Sequence, residues 1–526
     1  MVCNSKSPKA VDKKYVCNSN TSRWVLKDGK IGKALNKSKS PLMKMTVCHR
    51  RSKIELKAHQ VNFAKKFIRS GVHGVLAVHS LGSGKTLTAI TTSQCYLDKY
   101  PDDKIIVITP ASLIKNFEQE MIKWGVQNIE KYEFFTFDSF KNKPTDCKNS
   151  LLIIDEAHNL RTRVEINDSD LKNIGKIKSK TKTSSTKKKS VGLKAAEIIH
   201  CAKKSRRVLM LSGTPIVNDL YDLENLMAMS YKRDPLTKTE FNKIVSNPYL
   251  SMEYFKCRIS FFNAPKENFP TSQVHDIYFT MTPQYLKNYN FIETSELDKS
   301  GFGNHSKWSA DNLHIFYSGL RQASNSLFLE DTGSPKVEWI IKKIKNSDPD
   351  DKFVVFSHFI ESGSSLLSKK MDENKIKYRV ISGSVNKTKR AEYVHDYNSG
   401  IIKVLFITKA GGEGLNLLET NSIILMEPSW NETVVKQVIG RAIRYNSHSN
   451  LSIEKQHVDI YKLYTIKPRE NVVFNLLLDD YKLDNLLSID LYLKKMSLVK
   501  QNKIDKFINY VKSLPTLETH SCSGQI

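Results

Sequence analysis

Short apolar runs alternate with amphipathic stretches over two separate parts of the chain. Between Leu56 and residue 230 the runs are "GVLAVHS", "KIIVITP", "NSLLIIDEA" and "RRVLMLSGTP", and stretches with helical spacing such as "LKAAEIIHCAKK" separate them. Between residues 336 and 466 the runs are "KFVVFSHF", "KYRVISG", "KVLFITKAGGEGLN", "SIILMEPS" and "VDIYKLYTI". Short runs rich in Val, Ile and Leu are typical of parallel strands covered by helices. We therefore predict an α/β protein with two tandem parallel-sheet lobes.

The segments outside this alternation set the predicted domain limits. We expect a small basic N-terminal segment at 1–55, the first lobe at 56–230, a helical linker at 231–335, the second lobe at 336–466 and a helical C-terminal extension at 467–526. The stretch 165–192 interrupts the first lobe, and its central part "LKNIGKIKSKTKTSSTKKKS" contains 8 Lys and no acidic residue. Because so little apolar surface cannot offset the entropy of ordering, a disordered basic insertion is expected there.

The net charge favours a polyanionic partner. The 526 residues carry a formal charge of +28, from 82 Lys and Arg against 54 Asp and Glu. Residues 1–57 alone hold 15 Lys and Arg against 3 Asp and Glu. Attraction to phosphates, with release of their counterions, would give nucleic-acid binding that is independent of sequence and falls with salt. A basic surface that serves only solubility is the alternative.

The cysteines and the apolar runs indicate where the protein resides. Eight cysteines without a C-x-x-C pair favour reduced thiols over a disulfide framework, and their spacing matches no common zinc site. No apolar run approaches the roughly 18 residues that span a bilayer, and no hydrophobic segment follows the basic N-terminus. We therefore expect an intracellular protein without a membrane partner.

A glycine-rich elbow between a strand and a helix is the first candidate for chemistry. A phosphate cradle needs glycines for close backbone approach, a Lys for the terminal phosphates and a hydroxyl for Mg²⁺. The stretch "LGSGKT" supplies these parts through Gly82, Ser83, Gly84, Lys85 and Thr86. The usual first glycine is replaced by His79, so the match is incomplete, and a turn without chemistry is the alternative.

An acidic pair strengthens the interpretation of this elbow as a phosphate-binding loop. "LLIIDEAHNL" places Asp155 and Glu156 at the carboxyl end of an apolar strand. In a parallel sheet that end lies at the same edge as the phosphate loop. One carboxylate can hold Mg²⁺ and the next can orient and deprotonate an attacking water.

In this order, "LGSGKT", "DEAH" and "LSGTP" resemble motifs I, II and III of superfamily 2 helicases and nucleic-acid translocases. "FITKAGGEGLNLLETNSIILMEPSWN" and "QVIGRAIRYNSH" resemble motifs V and VI, so the resemblance covers about residues 57–466. "TPASLIKNFEQEM", "GLRQASNSLF" and "GGEGLNL" are more similar to the SWI/SNF-type ATPases and their poxviral transcription relatives than to DEAD-box RNA helicases. The resemblance implies two RecA-like lobes. Motif VI departs from the remodelling ATPases where Tyr445 and Asn446 follow the second arginine, which weakens the case for nucleosome remodelling.

The resemblance implies ATP and Mg²⁺ as cofactors. By position, Gln60 in "LKAHQ" would contact adenine and Lys85 would hold the β and γ phosphates. Thr86 and Asp155 would hold Mg²⁺, and Glu156 would be the general base of a nucleic-acid-dependent ATPase with a DEAH-type motif II.

The resemblance also implies residues that couple hydrolysis to movement. Arg441 and Arg444 would act on the γ-phosphate as arginine fingers, and Gln437 precedes them in the same motif. Ser212 and Thr214 would couple the nucleotide state to the bound strand. Four further residues would contact the nucleic-acid backbone, namely Thr109, Pro110, Thr408 and Gly411, although each could be an ordinary residue at the end of a strand.

Three functions remain open on the sequence alone. The first is a motor on duplex DNA that serves viral transcription or remodels a nucleoprotein. The second is an ATP-dependent RNA helicase, and the third is a nucleic-acid scaffold without turnover. The N-terminal "VCNSNTSRWVLKDGKIGKAL" resembles a two-cysteine adaptor of large DNA viruses. This implies a viral protein of the virion and the host cytoplasm or nucleus, with viral RNA polymerase or virion proteins as partners.

Overall fold

Two compact units make up the chain. A computed structural model describes residues 15–18, 23–26, 51–80, 82–161, 186–264, 267–299, 318–327, 334–408, 415–430, 432–468, 470, 487–519 and 522. The first unit comprises Met1–Ile216, Leu220–Asn263 and Tyr510–Ile526, and the second comprises Val217–Asp219 and Ala264–Asn509. Each unit contains one six-stranded sheet in which every neighbouring pair of strands is parallel. The predicted two-lobed α/β fold is confirmed.

The sheet of the first unit has the order β5-β4-β6-β7-β3-β8. Its strands are β3 Gly74–His79, β4 Lys104–Ile108, β5 Tyr132–Phe135, β6 Ser150–Ile154, β7 Arg207–Ser212 and β8 Ile259–Phe262. The helices of this unit are α1 Ala58–Arg69, α2 Lys85–Lys99, α3 Ile114–Trp124, α4 Phe137–Asn142, α5 Thr186–Lys204, α6 Glu224–Ser230, α7 Lys238–Ser246 and α8 Pro248–Phe255.

The apolar runs form the central strands because helices cover both faces. Every residue of β6 and β7 is buried, as expected for strands whose central residues are all apolar. Residues of α1, α2 and α3 pack on one face, and their largest buried side chains include Phe63, Tyr96 and Trp124. All six strands run the same way, so the segments that follow β3, β4, β6 and β7 emerge at one edge of the sheet. This edge carries the candidate site.

The sheet of the second unit has the order β11-β12-β10-β13-β14-β9. Its strands are β9 Thr271–Thr280, β10 Phe353–Ser357, β11 Tyr378–Ile381, β12 Val404–Thr408, β13 Ser422–Leu425 and β14 His457–Ile466. Its helices are α9 Pro283–Lys299, α10 Ser318–Ala323, α11 Pro335–Lys345, α12 Leu366–Glu373, α13 Lys387–Asn398, α14 Glu432–Ala442 and α15 Ile489–Ser513, of which the last residues belong to the first unit.

The segment 231–335 differs from the predicted helical linker. Its strand β8 completes the first sheet beside β3, and its strand β9 completes the second sheet through ten residue pairs with β14. The first four residues of β9 are exposed, and partly buried and exposed residues alternate from His275 to Thr280, because it is an edge strand. The two units therefore divide the linker between Asn263 and Ala264.

The basic N-terminal segment and the basic insertion both contain regular secondary structure. Strands β1 Tyr15–Asn18 and β2 Arg23–Leu26 form an antiparallel hairpin in the N-terminal segment. Most of the insertion at 165–192 lies outside the described residues, but α5 begins at Thr186. The last residues of the insertion are therefore helical, in contrast to the expected disorder.

Disulfides contradict the expectation of reduced thiols. Cys147, which precedes β6, is bonded to Cys201 of α5, and Cys257 is bonded to Cys522, 265 positions away in sequence. The sequence could not reveal these pairs because the bonded cysteines are 54 and 265 positions apart and no local pattern links them. Within the described ranges, no helix has both the length and the apolar character of a membrane span.

Candidate functional site

The glycine-rich elbow joins β3 to α2 in a conformation that only glycine adopts readily. Gly82 has φ +76° and Gly84 has φ +78°. A Cβ atom on Gly84 would lie 2.5 Å from Nε2 of Gln60, so a side chain there would strain the backbone and would also displace the end of the Gln60 side chain. Gly84 is also the N-cap of α2, and no side chain caps that helix. The amides of its first turn suit an anion.

Polar groups in the elbow fit a triphosphate. The hydroxyl of Ser83 is buried and has no hydrogen-bond partner among the residues that the structure describes, so it could donate to a phosphate oxygen. Nζ of Lys85 lies 3.5 Å from the carbonyl oxygen of His79, and Lys85 and Thr86 are both partly exposed at the start of α2. The Ser83 hydroxyl and the Lys85 ammonium are therefore suitable donors for the predicted phosphates.

Helix α1 holds the elbow from the side. Gln60 accepts a hydrogen bond from the backbone N–H of Lys57 at 2.9 Å and donates one to the carbonyl of Gly84 at 3.3 Å. The predicted adenine residue thus contacts the loop itself. His59 donates to the carbonyl of Ser83 at 2.8 Å, and its ring stacks on Phe262 at 3.6 Å between centroids.

His59 and Phe262 were absent from the sequence-based site. The two residues are about 200 positions apart, and they meet because β8 lies beside β3. The only signal in the sequence was the position of His59 next to Gln60.

The acidic pair lies at the same sheet edge, directly after β6. The backbone N–H of Asp155 donates to the carbonyl of Ile108 at 2.9 Å, which extends the pairing of β6 with β4. Burial and the neighbouring Glu156 raise the pKa of Asp155 well above its ordinary value, and Lys85 offsets this in part. A divalent cation would stabilise the carboxylate, so the residues fit Mg²⁺.

Glu156 is connected to the end of β7 through His158. Glu156 adopts a left-handed conformation with φ +51°, and its Oε2 lies 3.3 Å from Nδ1 of His158. The same nitrogen is 3.2 Å from the hydroxyl of Ser212, which accepts a hydrogen bond from the N–H of Thr214 at 3.1 Å. Glu156, Ser212 and Thr214 are therefore brought together, and His158, which sequence analysis left without a role, joins them.

The residues after β4 differ in exposure. Thr109 is completely buried, and its N–H donates to the carbonyl of Phe135 at 3.0 Å. Its side chain therefore offers no surface to a nucleic-acid backbone, contrary to the prediction. Pro110 is partly exposed, and its carbonyl accepts from Leu113 at 2.9 Å.

The predicted residues of motifs V and VI lie in the second unit. Thr408 ends β12 and is nearly buried, whereas Gly411 lies outside the described residues. Gln437 and Arg441 lie on α14, and the carbonyl of Arg441 accepts from Leu417 at 3.1 Å. Arg444 follows the helix, and its Nε donates to the carbonyl of Gly440 at 2.8 Å.

Known proteins are similar in sequence to much of this chain. Residues 335–446 match the model of the helicase conserved C-terminal domain. A provisionally assigned ATP-dependent RNA helicase of Acanthamoeba polyphaga mimivirus is 31% identical over 456 residues, which cover 81% of this chain and 92% of that protein. Nucleoside triphosphatase I of Heliothis armigera entomopoxvirus is 24% identical over 553 residues, covering 89% of this chain and 82% of that protein.

More distant similarities extend to cellular proteins. The DNA repair and recombination protein RAD54 of Saccharomyces cerevisiae is 24% identical over 473 residues, covering 71% of this chain and 49% of that protein. Among solved structures, the SWI2/SNF2 ATPase core of Sulfolobus solfataricus in complex with dsDNA is 18% identical and covers 88% of this chain and 98% of that chain, with a TM-score of 0.32. That score is too low to support a conclusion about this chain.

Proposed function

Since the chain belongs to the SWI/SNF-like superfamily 2 helicases and ATPases, alongside viral relatives, we propose that it is an ATP-driven motor on duplex DNA. In this proposal the free energy of ATP hydrolysis moves the protein along DNA during viral transcription or remodelling of a nucleoprotein. One observation carries the proposal: a phosphate loop and an acidic pair, of which Asp155 is buried and Glu156 partly exposed, share one edge of the first sheet.

The first unit would bind the nucleotide through its own backbone and side chains. The N–H groups at the start of α2 and the ammonium of Lys85 would hold the phosphates, while Thr86 and Asp155 would hold Mg²⁺. Bound Mg-ATP supplies the phosphoanhydride bond and the cation that neutralises its charge. The stack of His59 on Phe262, beside Gln60, is the surface that we propose for the adenine ring.

Glu156 would act as the general base. Its carboxylate would orient a water and accept its proton, and His158 would fix the direction of that carboxylate from 3.3 Å. Because His158 also contacts Ser212, a change at Glu156 during hydrolysis reaches the end of β7. We propose that Ser212 and Thr214 pass this change to the bound strand.

The second unit would contribute Arg441 and Arg444 as arginine fingers, on the basis of the family resemblance. Such residues are worth on the order of a thousandfold in rate in related phosphoryl transfers. Removal of an arginine finger should lower kcat. We therefore expect Arg441→Ala to bind ATP but to hydrolyse it far more slowly than the wild type.

Duplex DNA is the substrate that we propose. The net charge of +28 favours a polyanion, and phosphate contacts at Pro110 and at the motif V segment would fix the protein on the backbone without reading sequence. By analogy with the poxviral relatives, the partners would be viral RNA polymerase or virion proteins. The protein would then act in the virion and in the host cytoplasm, with the nucleus as a further location.

Steady-state ATP hydrolysis tests the proposal. Phosphate release is measured with no nucleic acid, duplex DNA, single-stranded DNA and RNA, at low and high salt. If the protein is a motor on duplex DNA, we expect duplex DNA to stimulate ATP hydrolysis most and the strands to remain paired. We expect Lys85→Ala to have no ATPase activity. Equal rates in Lys85→Ala and the wild type would contradict an ATPase at this loop and would favour a scaffold.

An RNA helicase is the second candidate, because the mimivirus relative carries that provisional assignment. It would be supported if RNA stimulated hydrolysis more than duplex DNA and if a paired RNA strand were released only with ATP.

A further inference from the structure

The C-terminal segment, defined here as residues 514–519 and 522, packs on the edge strand of the nucleotide-binding unit. The N–H of Leu517 donates to the carbonyl of Ile259 at 3.0 Å, and the N–H of Cys257 donates to the carbonyl of Pro515 at 2.9 Å. Leu517 is 2% exposed and belongs to the core around α1 and α2. The disulfide between Cys257 and Cys522 closes this arrangement covalently. The end of the chain is therefore built into the unit that carries the phosphate loop.

A row of hydrogen bonds leads from this segment to the phosphate loop. The carboxylate of Glu518 accepts a hydrogen bond from the hydroxyl of Ser260, and Ser260 Oγ lies 3.0 Å from Nε2 of His79. An ionised carboxylate only accepts, so the hydroxyl of Ser260 donates to Glu518. The oxygen of Ser260 must then accept from Nε2–H of His79, which fixes the tautomer of that ring.

His79 is where this row meets the nucleotide site. It is the last residue of β3, it is 1% exposed, and its carbonyl oxygen lies 3.5 Å from Nζ of Lys85. Its ring also packs edge-on against Phe63 at 5.3 Å between centroids. Burial, with His59 and Lys85 nearby, lowers the pKa of His79 to about 3, so the ring stays neutral and donates through one nitrogen. A fixed ring at His79 fixes the backbone from which the loop starts.

The backbone of Glu518 is also held in place. The backbone carbonyl of Glu518 accepts a hydrogen bond from the ammonium of Lys66 on α1. Glu518 is thus held by its backbone on α1 and by its side chain on β8, while the neighbouring disulfide prevents the segment from leaving. These contacts are independent of the motifs that make up the predicted site.

We propose that Glu518 is a positioning residue for the phosphate loop, acting through Ser260 and His79, and that the Cys257–Cys522 disulfide keeps it in place. This inference rests on the proposed binding of ATP at the loop. Nucleotide affinity should therefore depend on whether this disulfide is formed. A dithiol reductant would transfer two electrons and two protons to the pair, break the S–S bond to give two thiols, and itself become a disulfide.

Nucleotide binding by variants of the full chain tests the role of Glu518. The probe is a non-hydrolysable ATP analogue with an imido group between the β and γ phosphates, and its Kd is measured by calorimetry. Loss of an acceptor for a buried hydroxyl corresponds to a weakening of about tenfold for Glu518→Ala. Glu518→Gln retains an acceptor oxygen and should weaken binding less than about threefold. In hydrolysis assays the alanine variant should raise KM for ATP and leave kcat within about twofold of the wild type, because the loop is displaced while Glu156 is not.

The second disulfide provides the matched control. Cys147 and Cys201 lie in the same unit but at the amino end of β6, at the opposite edge of the sheet from the loop. The double variant Cys257→Ser and Cys522→Ser should bind the analogue more weakly, and treatment of the wild type with a dithiol should have the same effect. The double variant Cys147→Ser and Cys201→Ser should bind as tightly as the wild type. If the first double variant does not fold, Ser260→Ala tests the same row of contacts.

The outcomes separate this inference from the proposed function. The positioning role would be overturned if Glu518→Ala and the Cys257 and Cys522 double variant both bound the analogue with the wild-type Kd. If Lys85→Ala did not bind the analogue in the same experiment, the proposed ATPase would still stand. Equal weakening by both double cysteine variants would also overturn the positioning role, since the effect would then be one of general stability. Unchanged binding by Lys85→Ala would contradict the proposed function itself.

Discussion

Backbone conformation limits what can replace the glycines of the phosphate loop. Gly84 has φ +78°, and a left-handed conformation costs about 1–2 kcal/mol for a residue with a Cβ. At Gly84 that Cβ would also displace the side chain of Gln60. We expect Gly84→Ala to weaken binding of the ATP analogue at least about tenfold, measured by calorimetry.

Gly400 is the control for Gly84. It has φ +73°, it lies in the second unit, and a Cβ added to it would have no other atom within 4 Å. Gly400→Ala should carry the same backbone cost and should leave nucleotide binding unchanged. Similar losses of binding in the two variants would show that the effect is one of general destabilisation and not of the conformation of the phosphate loop.

His79 should make the first unit less stable in mild acid. Its pKa is about 3 in the folded protein against 6.5 for an ordinary histidine, so the unfolded chain binds a proton that the folded chain excludes. The contribution of the neutral His79 ring to the free energy of unfolding is complete above pH 6.5. It falls by about 1.4 kcal/mol for each pH unit below that value. Urea unfolding at pH 7.5 and 5.5 should show a smaller loss for His79→Gln than for the wild type. The same loss in both proteins would contradict a neutral buried ring.

The positions of the candidate residues could be read from the sequence more readily than their contacts. Lys85, Thr86, Asp155 and Glu156 could be recognised because the loop and the acidic pair each follow a strand within a few residues. The contacts of His79 with Ser260 and of Ser260 with Glu518 join positions 181 and 258 residues apart. No local pattern marks such pairs, since they depend on which strands become neighbours.

At the level of elements, the central strands and the edge strand β11 were predicted correctly, whereas the edge strands β5, β8 and β9 were not predicted. After their first residue, β4 and β6 are continuous apolar runs, whereas β9 has exposed or partly buried residues throughout and carries polar side chains. An edge strand needs apolar residues on one face only, so its pattern is weaker. Its pairing with β14, 186 residues away at Thr271 and His457, could not be read from either segment alone.

A buried ion pair should stabilise the packing of α11, α15 and β14 in the second unit. Lys336 and Asp490 are 2.8 Å apart with side chains 0% and 1% exposed, and Asp490 also accepts from the N–H of Thr465. Removal of one partner leaves a buried charge, so Lys336→Ala should lower the free energy of unfolding by about 3–5 kcal/mol.

The exposed pair of Lys370 and Glu373 is the control for that experiment. Lys370→Ala should change the free energy of unfolding by less than about 0.5 kcal/mol in the same thermal or urea titration. Equal effects of the two alanine variants would show that the buried pair contributes no more than a surface pair.

At the scale of the whole molecule, the excess of positive charge should govern nucleic-acid binding. Binding to a duplex without a chosen sequence should weaken by about 10³-fold between 50 and 200 mM salt if some six phosphates are contacted. Replacement by Gln of the five lysines 172, 176, 178, 180 and 182, which precede α5, should reduce the slope of log K against log salt if the insertion contacts DNA. An unchanged slope would mean that the insertion lies away from the DNA.

The central claim is that Glu156 performs the chemistry at an ATP site made by the first unit. Single-turnover phosphate release by Glu156→Gln, in parallel with its Kd for the ATP analogue, tests this claim most directly. The proposed mechanism predicts a rate at least about 10²-fold below the wild type with a Kd within about threefold, because only the base is lost. Hydrolysis by Glu156→Gln at the wild-type rate would contradict it.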